Sequence, residues 1–332
     1  MPTQRAFRIH NDDAGYRAGV EIIEVPEPGD GEVLLRVEYS GINYKDALGG
    51  TGQGKVIRRF PLTGGIDAAG VVERSAHAGF QPGDAVIATG HGMAFDHDGG
   101  YAEYLCVPGD WLVTVPDGLD TRTAMILGTA GFTAALAVHR LLRNDQRPEL
   151  GPILVTGASG GVGAIAIAIL AKLGFDVAAV SGKPELHDWL KALGASQILG
   201  RNELPGGDRP LEKAVWGGAV DNVGGDMLAR ITRTVVPYGN IASIGLAGGT
   251  DLRTTVMPFI LRGVGLLGCE SVNIAQPLRG ELWRHLATDW HVGDPERLLT
   301  AEIALEALPE VFERMLGGRT HGRVLVEPGA SG

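Results

Sequence analysis

Residues 153–163 read ILVTGASGGVG and run directly into AIAIAILAKLG, residues 164–174. An apolar run thus delivers several glycines into an alanine- and isoleucine-rich helix. Glycines let a backbone turn tightly and approach a pyrophosphate, while the unpaired amides and dipole of a helix N-terminus favour negative charge. In a strand, turn, helix context this reads as the phosphate-binding turn of a dinucleotide fold, with Ser159, Gly160, Gly161 and Val162 against the phosphates. The letters Gly157-Ala158-Ser159-Gly160-Gly161 also spell G-x-S-x-G, the elbow that raises a nucleophilic serine in hydrolases. That alternative needs an acid and a later histidine, and Asp221 with His285 or His321 stands in an acceptable order.

Downstream, apolar strands at 153–156, 177–181, 197–199, 219–223, 240–245 and 264–269 alternate with helices, among them 161–173 and one ending near Leu193. This α/β alternation predicts a Rossmann-type, doubly wound parallel sheet, whose crossover helices bury both faces. Upstream, short β-rich runs at 32–39, 69–74, 85–89 and 111–115 are separated by Gly, Pro and Asp turns and predict a compact β domain. A helix is expected over 121–142, with Thr121 or Thr123 as its N-cap. The end of the chain, 272–328, is expected to add one helix and a last strand at 323–326. The division is then residues 1–123 with 272–332 as a β-rich catalytic domain and 124–271 as the cofactor domain, two domains in 332 residues.

Hydrophobic residues make up 44% and charged residues 20%, the composition of a folded globular protein. The formal net charge of -10 would repel nucleic-acid phosphates and anionic lipid, so neither nucleic acid nor membrane is an expected partner. Only Cys106 and Cys269 are present, too few for a disulfide framework or a four-thiolate zinc site, and both read as small buried hydrophobes. No basic stretch with an apolar core opens the chain and no run of about 18 apolar residues occurs, so a cytoplasmic location is expected.

The second strand of the nucleotide region ends Val180-Ser181-Gly182-Lys183. An NAD site would place an acid there to accept from the ribose 2′-hydroxyl, but Asp176 stands at the strand's entrance, the wrong end. Ser181, Gly182 and Lys183 instead offer a hydroxyl, an open backbone and a cation where a 2′-phosphate would lie, and Arg201 could close that clamp. The expected cofactor is NADPH. A short-chain reductase would carry its glycine turn near the N-terminus and a Tyr-x-x-x-Lys pair. Here the turn follows a β domain, so the reacting group must come from that domain.

Six segments then combine: NYKDAL from Asn43, FPLTGGIDAAG from Phe60, GGYAE from Gly99, LGTAGFTA from Leu127, the glycine turn, and TTVMPFILRGV from Thr254 to Val264. Together they resemble the zinc-independent medium-chain dehydrogenase/reductases, related to the quinone oxidoreductases and most similar to the acrylyl-CoA reductase group. The resemblance implies a GroES-like catalytic domain beside the Rossmann domain, and NADPH-dependent reduction of acryloyl-CoA to propanoyl-CoA, with hydride arriving at the β-carbon. Zinc-using members carry a Cys in the first segment, a Gly-His-Glu in the second and a four-Cys lobe. Here Asn43 to Asp46 supplies no thiolate and Gly65-Ile66-Asp67 replaces the His-Glu pair, so no metal is expected. His91 and His97 lack a thiol partner and read as surface or loop-packing residues.

Without a Lewis acid, hydride addition to an activated C=C needs only hydrogen bonds to the thioester enolate. Tyr44 is the first candidate donor, beside the nicotinamide and the substrate carbonyl, with Asn43 orienting it and Asp46 and Asp67 as acids or network residues. Plainer readings stay open: packing for Tyr44, a helix N-terminal acid for Asp46, and a turn carboxylate satisfied by amides for Asp67. The resemblance further implies cofactor contacts at Thr129, Thr133, Gly245, Leu246, Ile260, Ser271 and Arg323. Lys55, Arg58 and Arg59 form a basic cluster that could steer the phosphates of coenzyme A or simply face solvent. The strand from Val264 to Cys269 is expected to pair with its copy in a homodimer. A quinone reductase and a non-catalytic NADPH-binding protein remain as alternatives.

Overall fold

The computed structural model describes residues 2–330. The chain opens with a hairpin, β1 (Thr3–Asp12) and β2 (Gly15–Glu24), followed by β3 (Glu32–Gly41), α1 (Tyr44–Thr51) and β4 (Leu62–Thr63). Strands β5 (Asp67–Ser75), β6 (Ala85–Thr89), β7 (Tyr104–Pro108) and β8 (Leu112–Thr114) lead to α2 (Thr121–Arg143). An alternating run follows: β9 (Ile153–Val155), α3 (Gly161–Lys172), β10 (Val177–Val180), α4 (His187–Ala192), β11 (Gln197–Leu199) and β12 (Gly218–Asp221). It continues through α5 (Gly225–Thr234), β13 (Asn240–Ser243), α6 (Met257–Arg262) and β14 (Gly265–Gly268). The chain closes with α7 (Leu278–Ala287), β15 (Leu299–Ile303), α8 (Leu308–Leu316) and β16 (Arg323–Val326).

Two compact units result: one holds the residues up to Thr129, Val272–Ala287 and the segment from Asp294 onward, the other Ala130–Ser271 and Thr288–Gly293. In the first, β3 lies at the centre of a seven-stranded sheet, ordered β15-β16-β3-β5-β6-β8 with β7 also on β3, and β2-β1-β4 form a second sheet. The last strand meets β3 only at its tip, where Val326 faces Ser40 and Leu325 faces Gly41. That register carries Arg323 to the residues just before α1. Phe7, Tyr101 and Phe312 fill the core with ring centroids 5.9–6.4 Å apart. Leu308, Val311 and Phe312 form the buried stripe of α8, at the spacing of one helix face.

The second unit is a six-stranded sheet, order β11-β10-β9-β12-β13-β14, parallel at every pairing. This is the Rossmann order 3-2-1-4-5-6, and its direction reverses between β9 and β12. Helix α3 is buried continuously from Gly163 to Leu170, as an AIAIAIL run that is apolar on every side requires.

Several elements depart from expectation. The helix expected at 121–142 is two helices, because Gly128 breaks it with φ 52° and ψ -154°. Its cap is neither Thr121 nor Thr123. Asp120 accepts from the Thr123 amide at 2.6 Å through Oδ1, and its carbonyl accepts from Ala124 at 2.9 Å. Thr121 is committed elsewhere, donating to Glu38 at 2.8 Å. Beyond Val272 the chain adds two helices and two strands, not one of each. The α2 segment is apolar and long enough to cross a membrane by composition, yet 78% of that window is buried inside the protein.

Candidate active site

The tips of β9 and β12 are tied together where the strand order reverses. Thr156 donates through Oγ1 to Asp221 Oδ1 at 2.7 Å and accepts from the Asn222 amide at 2.9 Å. Asn222 Nδ2 donates to the Thr156 carbonyl at 2.8 Å, and Gly224 donates to Asp221 Oδ2 at 2.8 Å. Burial is the largest influence on Asp221 and raises its pKa, against the hydrogen bonds from Thr156 and Gly224. The glycine turn follows, at the crevice where open α/β sheets take their ligands. A Cβ on Gly163 would lie 2.5 Å from the Gly157 carbonyl oxygen and 2.9 Å from Ala158 Cα, so only glycine lets α3 seat against the turn. Helix α3 starts at Gly160 with no side-chain cap, which leaves its first-turn amides to an anion.

Ser159 does not sit on a nucleophile elbow. Among the described residues, the non-glycine positions of positive φ are His91, Ala94, Asp145 and Tyr238, so Ser159 lacks the strained backbone of that elbow. Asp221 is committed to Thr156 and Gly224, and His285 stands 3.7 Å from Glu281 on its own helix.

At the end of β10, Ser181 is buried and accepts from the Lys183 amide at 3.2 Å. The Arg201 guanidinium lies over Gly182: a Cβ there would be 3.1 Å from Nε and 3.5 Å from Cζ. Burial first, and then the charge of Arg201, lower the pKa of Lys183, with Glu185 opposing. Two cations thus converge on an open glycine at the strand's carboxyl end, while Asp176 is exposed at the other end. Thr133 and Ser271, far apart in the chain, meet through their hydroxyls at 2.8 Å. Gly245 packs on the tip of β12, where a Cβ would come 2.1 Å from the Asn222 carbonyl oxygen. Leu246 is exposed, and so is Ile260 on α6, at 71%.

In the other unit, α1 begins at Tyr44, which is 46% exposed. Behind it the acids are sealed in. Asp46 Oδ2 accepts from the Asn43 amide at 2.9 Å and from Asn43 Nδ2 at 3.2 Å, and Oδ1 accepts from Ile66 at 2.9 Å. Asp67 Oδ2 accepts from Asn43 Nδ2 at 2.8 Å, and Oδ1 from the Thr129 amide at 3.0 Å and hydroxyl at 2.5 Å. Arg323, 3% exposed, donates from Nε to Ile126 O at 2.8 Å and from Nη1 to Ile42 O at 2.9 Å and Asn43 Oδ1 at 3.1 Å. Its Nη2 stands 3.7 Å from Asp67 Oδ2. Burial, then the Asp67 charge, raises Asp46 to about 7. Asn43, Asp46, Asp67, Thr129 and Arg323 are therefore one network, with Asp46, Asp67 and Arg323 buried and Asn43 and Thr129 partly exposed, just before and behind the exposed Tyr44.

The basic cluster divides. Arg58 Cζ stands 4.4 Å and Lys45 Nζ 5.1 Å from the centroid of the Phe95 ring. Arg59 instead lies 3.6 Å from Asp98, which Arg8 also holds at 2.8 Å. Lys55 is exposed. His91 and His97 both pack on Trp111, at ring separations of 5.0 and 5.1 Å.

Comparison with known proteins agrees with this arrangement. Residues 29–117 match the alcohol dehydrogenase GroES-like domain and residues 161–287 the zinc-binding dehydrogenase domain. The acrylyl-CoA reductase AcuI of Ruegeria pomeroyi is 46% identical over 95% of this chain and 95% of its own. The chain belongs to the medium-chain dehydrogenase/reductase superfamily. The yhdH oxidoreductase of Salmonella enterica, solved in complex with NADP, is another similar member, 46% identical over 97% of this chain and 99% of its own with a TM-score of 0.93. So is YhfP of Bacillus subtilis, whose name assigns it provisionally to the quinone oxidoreductases, 48% identical over 90% of this chain and 91% of its own. Its structure, with NAD bound, matches with a TM-score of 0.94 at 43% identity over 98% of this chain and 100% of that one.

Zinc does not suit the donor set of this medium-chain dehydrogenase/reductase. Among the described residues no three His, Cys, Asp or Glu side chains gather as a metal site would need. Asp67 is already taken by Asn43 and Thr129. Both thiols are half-buried and stay protonated at neutral pH, Cys106 pushed up to about 12 and Cys269 to about 11, chiefly by burial. A dinucleotide does suit it: the glycine turn, the uncapped helix and the cations beside Gly182 are what pyrophosphate and a ribose phosphate require.

Sequence reasoning missed three parts of this arrangement. Asp221 entered only as a hydrolase acid, whereas it braces the crevice. Arg323, expected at the cofactor, also holds the start of α1 through Ile42 O and Asn43 Oδ1, which the sequence does not show. Phe95, between two cations, carried no signal beyond a lone aromatic in a glycine-rich loop.

Proposed function

We propose that the protein is an NADPH-dependent reductase of the C=C bond of a short enoyl-CoA, turning acryloyl-CoA into propanoyl-CoA. The observation that carries the reading is the reacting domain's donor set. An exposed phenol, Tyr44, stands on a buried hydrogen-bonded network where zinc-using relatives would need metal ligands. Hydrogen-bond donors alone suffice for an acceptor that is already activated, and an α,β-unsaturated thioester is one.

When bound, NADPH supplies the hydride. Ser159, Gly160, Gly161 and Val162 hold its pyrophosphate, and Ser181, Gly182, Lys183 and Arg201 take its 2′-phosphate. Thr133 with Ser271, and Gly245 with Leu246, line the remaining cofactor surface. Tyr44 donates a hydrogen bond to the thioester oxygen as enolate charge develops there. Asn43, Asp46, Asp67, Thr129 and Arg323 position Tyr44 by fixing the start of α1 and do not touch substrate.

The exposed edge strand β14, with Val256, Ile260 and Leu261 exposed on and beside α6, supports pairing with a second copy. A cytoplasmic site of action follows from the proposed pair of substrates, NADPH and an acyl-CoA. The names of the relatives favour either an enoyl-CoA or a quinone as acceptor. NADPH oxidation followed side by side with acryloyl-CoA, crotonoyl-CoA and benzoquinone tests this: kcat/KM should be highest for acryloyl-CoA. Turnover of the quinone alone would make the protein a quinone reductase, and tight NADPH binding without turnover of any would make it a binding protein.

A further inference from the structure

Of Lys55, Arg58 and Arg59, the basic cluster that could steer the phosphates of coenzyme A, Arg58 stands on the Phe95 ring, and Lys45 joins it there. Phe95 sits in a loop braced on itself: its amide donates to Gly92 O at 3.0 Å, and Ala94, at φ 52°, donates to His97 O at 2.9 Å. A left-handed alanine is costly and persists only where its surroundings hold it. The Phe95 carbonyl also accepts from the Arg58 amide at 2.7 Å, so the ring and the Arg58 guanidinium are fixed to each other through backbone. Lys45 reaches the same ring from α1, one residue after Tyr44.

Each cation-π contact at an exposed site is weakly attractive, but two cations on one ring repel. Arg59 and Arg8 resolve their charge on Asp98; Arg58, among the described residues, has no carboxylate within ion-pair distance. In a chain of net charge -10, an exposed guanidinium and an ammonium gathered on one aromatic ring make a place for an anion.

We propose that Arg58, Lys45 and Phe95 anchor the phosphate-bearing nucleotide end of the thioester substrate. This rests on the enoyl-CoA reading above and adds to it the residues that recognise the carrier rather than the acyl group. Because Lys45 and Tyr44 are consecutive in α1, the anchor and the phenol share one rigid element. Seating the phosphates therefore sets the thioester's distance from Tyr44.

The test compares KM for acryloyl-CoA with KM for acryloyl-pantetheine, which carries the same thioester and no phosphate, at saturating NADPH. One charge-assisted contact is worth roughly tenfold in binding. Arg58→Gln should raise KM for acryloyl-CoA by about tenfold, and Lys45→Gln with it by more, while KM for acryloyl-pantetheine moves by less than about twofold. Arg58→Lys, which keeps the charge, should recover part of the loss. Equal rises for the two thioesters, or no rise for acryloyl-CoA, would overturn the anchor. Turnover of neither thioester by the unaltered protein would bring down the enoyl-CoA reading itself, a distinct result.

Discussion

Replacing Arg323 by methionine should show how much the network around Asp67 contributes to the fold. The side chain is 3% exposed, and its loss deprives the Ile126 and Ile42 carbonyls of their donors. It also leaves Asp67, fully buried, without its cation. Removing one member of a buried ion pair costs about 3–5 kcal/mol. Here the Arg323–Asp67 separation is a long 3.7 Å, and Asp67 keeps Asn43 and Thr129 as donors, so the low end applies, about 3 kcal/mol. Urea unfolding at neutral pH, followed by near-ultraviolet circular dichroism, reads that loss. Adding Asp67→Asn to Arg323→Met should return part of it, because the uncompensated charge is then gone. A cost below about 1 kcal/mol, or strict additivity of the two changes, would refute the network.

Lys183→Ala should lower kcat/KM for NADPH by about tenfold and leave that for NADH unchanged; an unaltered preference would remove Lys183 from the clamp. Gly163→Ala should cost about 1–3 kcal/mol in thermal stability and weaken NADPH in a fluorescence titration, since its Cβ meets the Gly157 carbonyl oxygen at 2.5 Å. Asp46 supplies a pH signature. It releases its proton near 3.8 when unfolded but only at about 7 in the fold. Stability linked to the protonated form is therefore whole below about pH 4 and lost as pH rises through about 7. Denaturation at pH 5 and pH 8 should show the unaltered protein losing stability relative to Asp46→Asn over that interval; parallel behaviour of the two would contradict the burial of this acid.

What was legible in the sequence was local. The glycine turn, α3 and the cations after β10 are each contiguous or nearly so, and alternation of apolar strands with helices carried the parallel sheet. The Asp120 cap is also written there, one residue ahead of Thr121. The β1–β2 hairpin was harder, because β2 is largely exposed on both faces and shows no apolar alternation. Long-range closures were out of reach. Arg323 meets Asn43 only because β16 pairs with the last two residues of β3, and Asp221 meets Thr156 only because β12 lies beside β9. Asp67 has no exposed surface and accepts from Asn43 Nδ2 and from the Thr129 amide and hydroxyl, contacts that its neighbours in the chain do not announce.

Hydride transfer from NADPH to a conjugated thioester leaves an isotopic signature in the product. Turnover of acryloyl-CoA with NADPH deuterated on the transferred position of nicotinamide C4, in ordinary water, should yield propanoyl-CoA with a single deuterium on the β-carbon and protium from solvent at the α-carbon. Propanoyl-CoA free of deuterium, or labelled at the α-carbon, would contradict it.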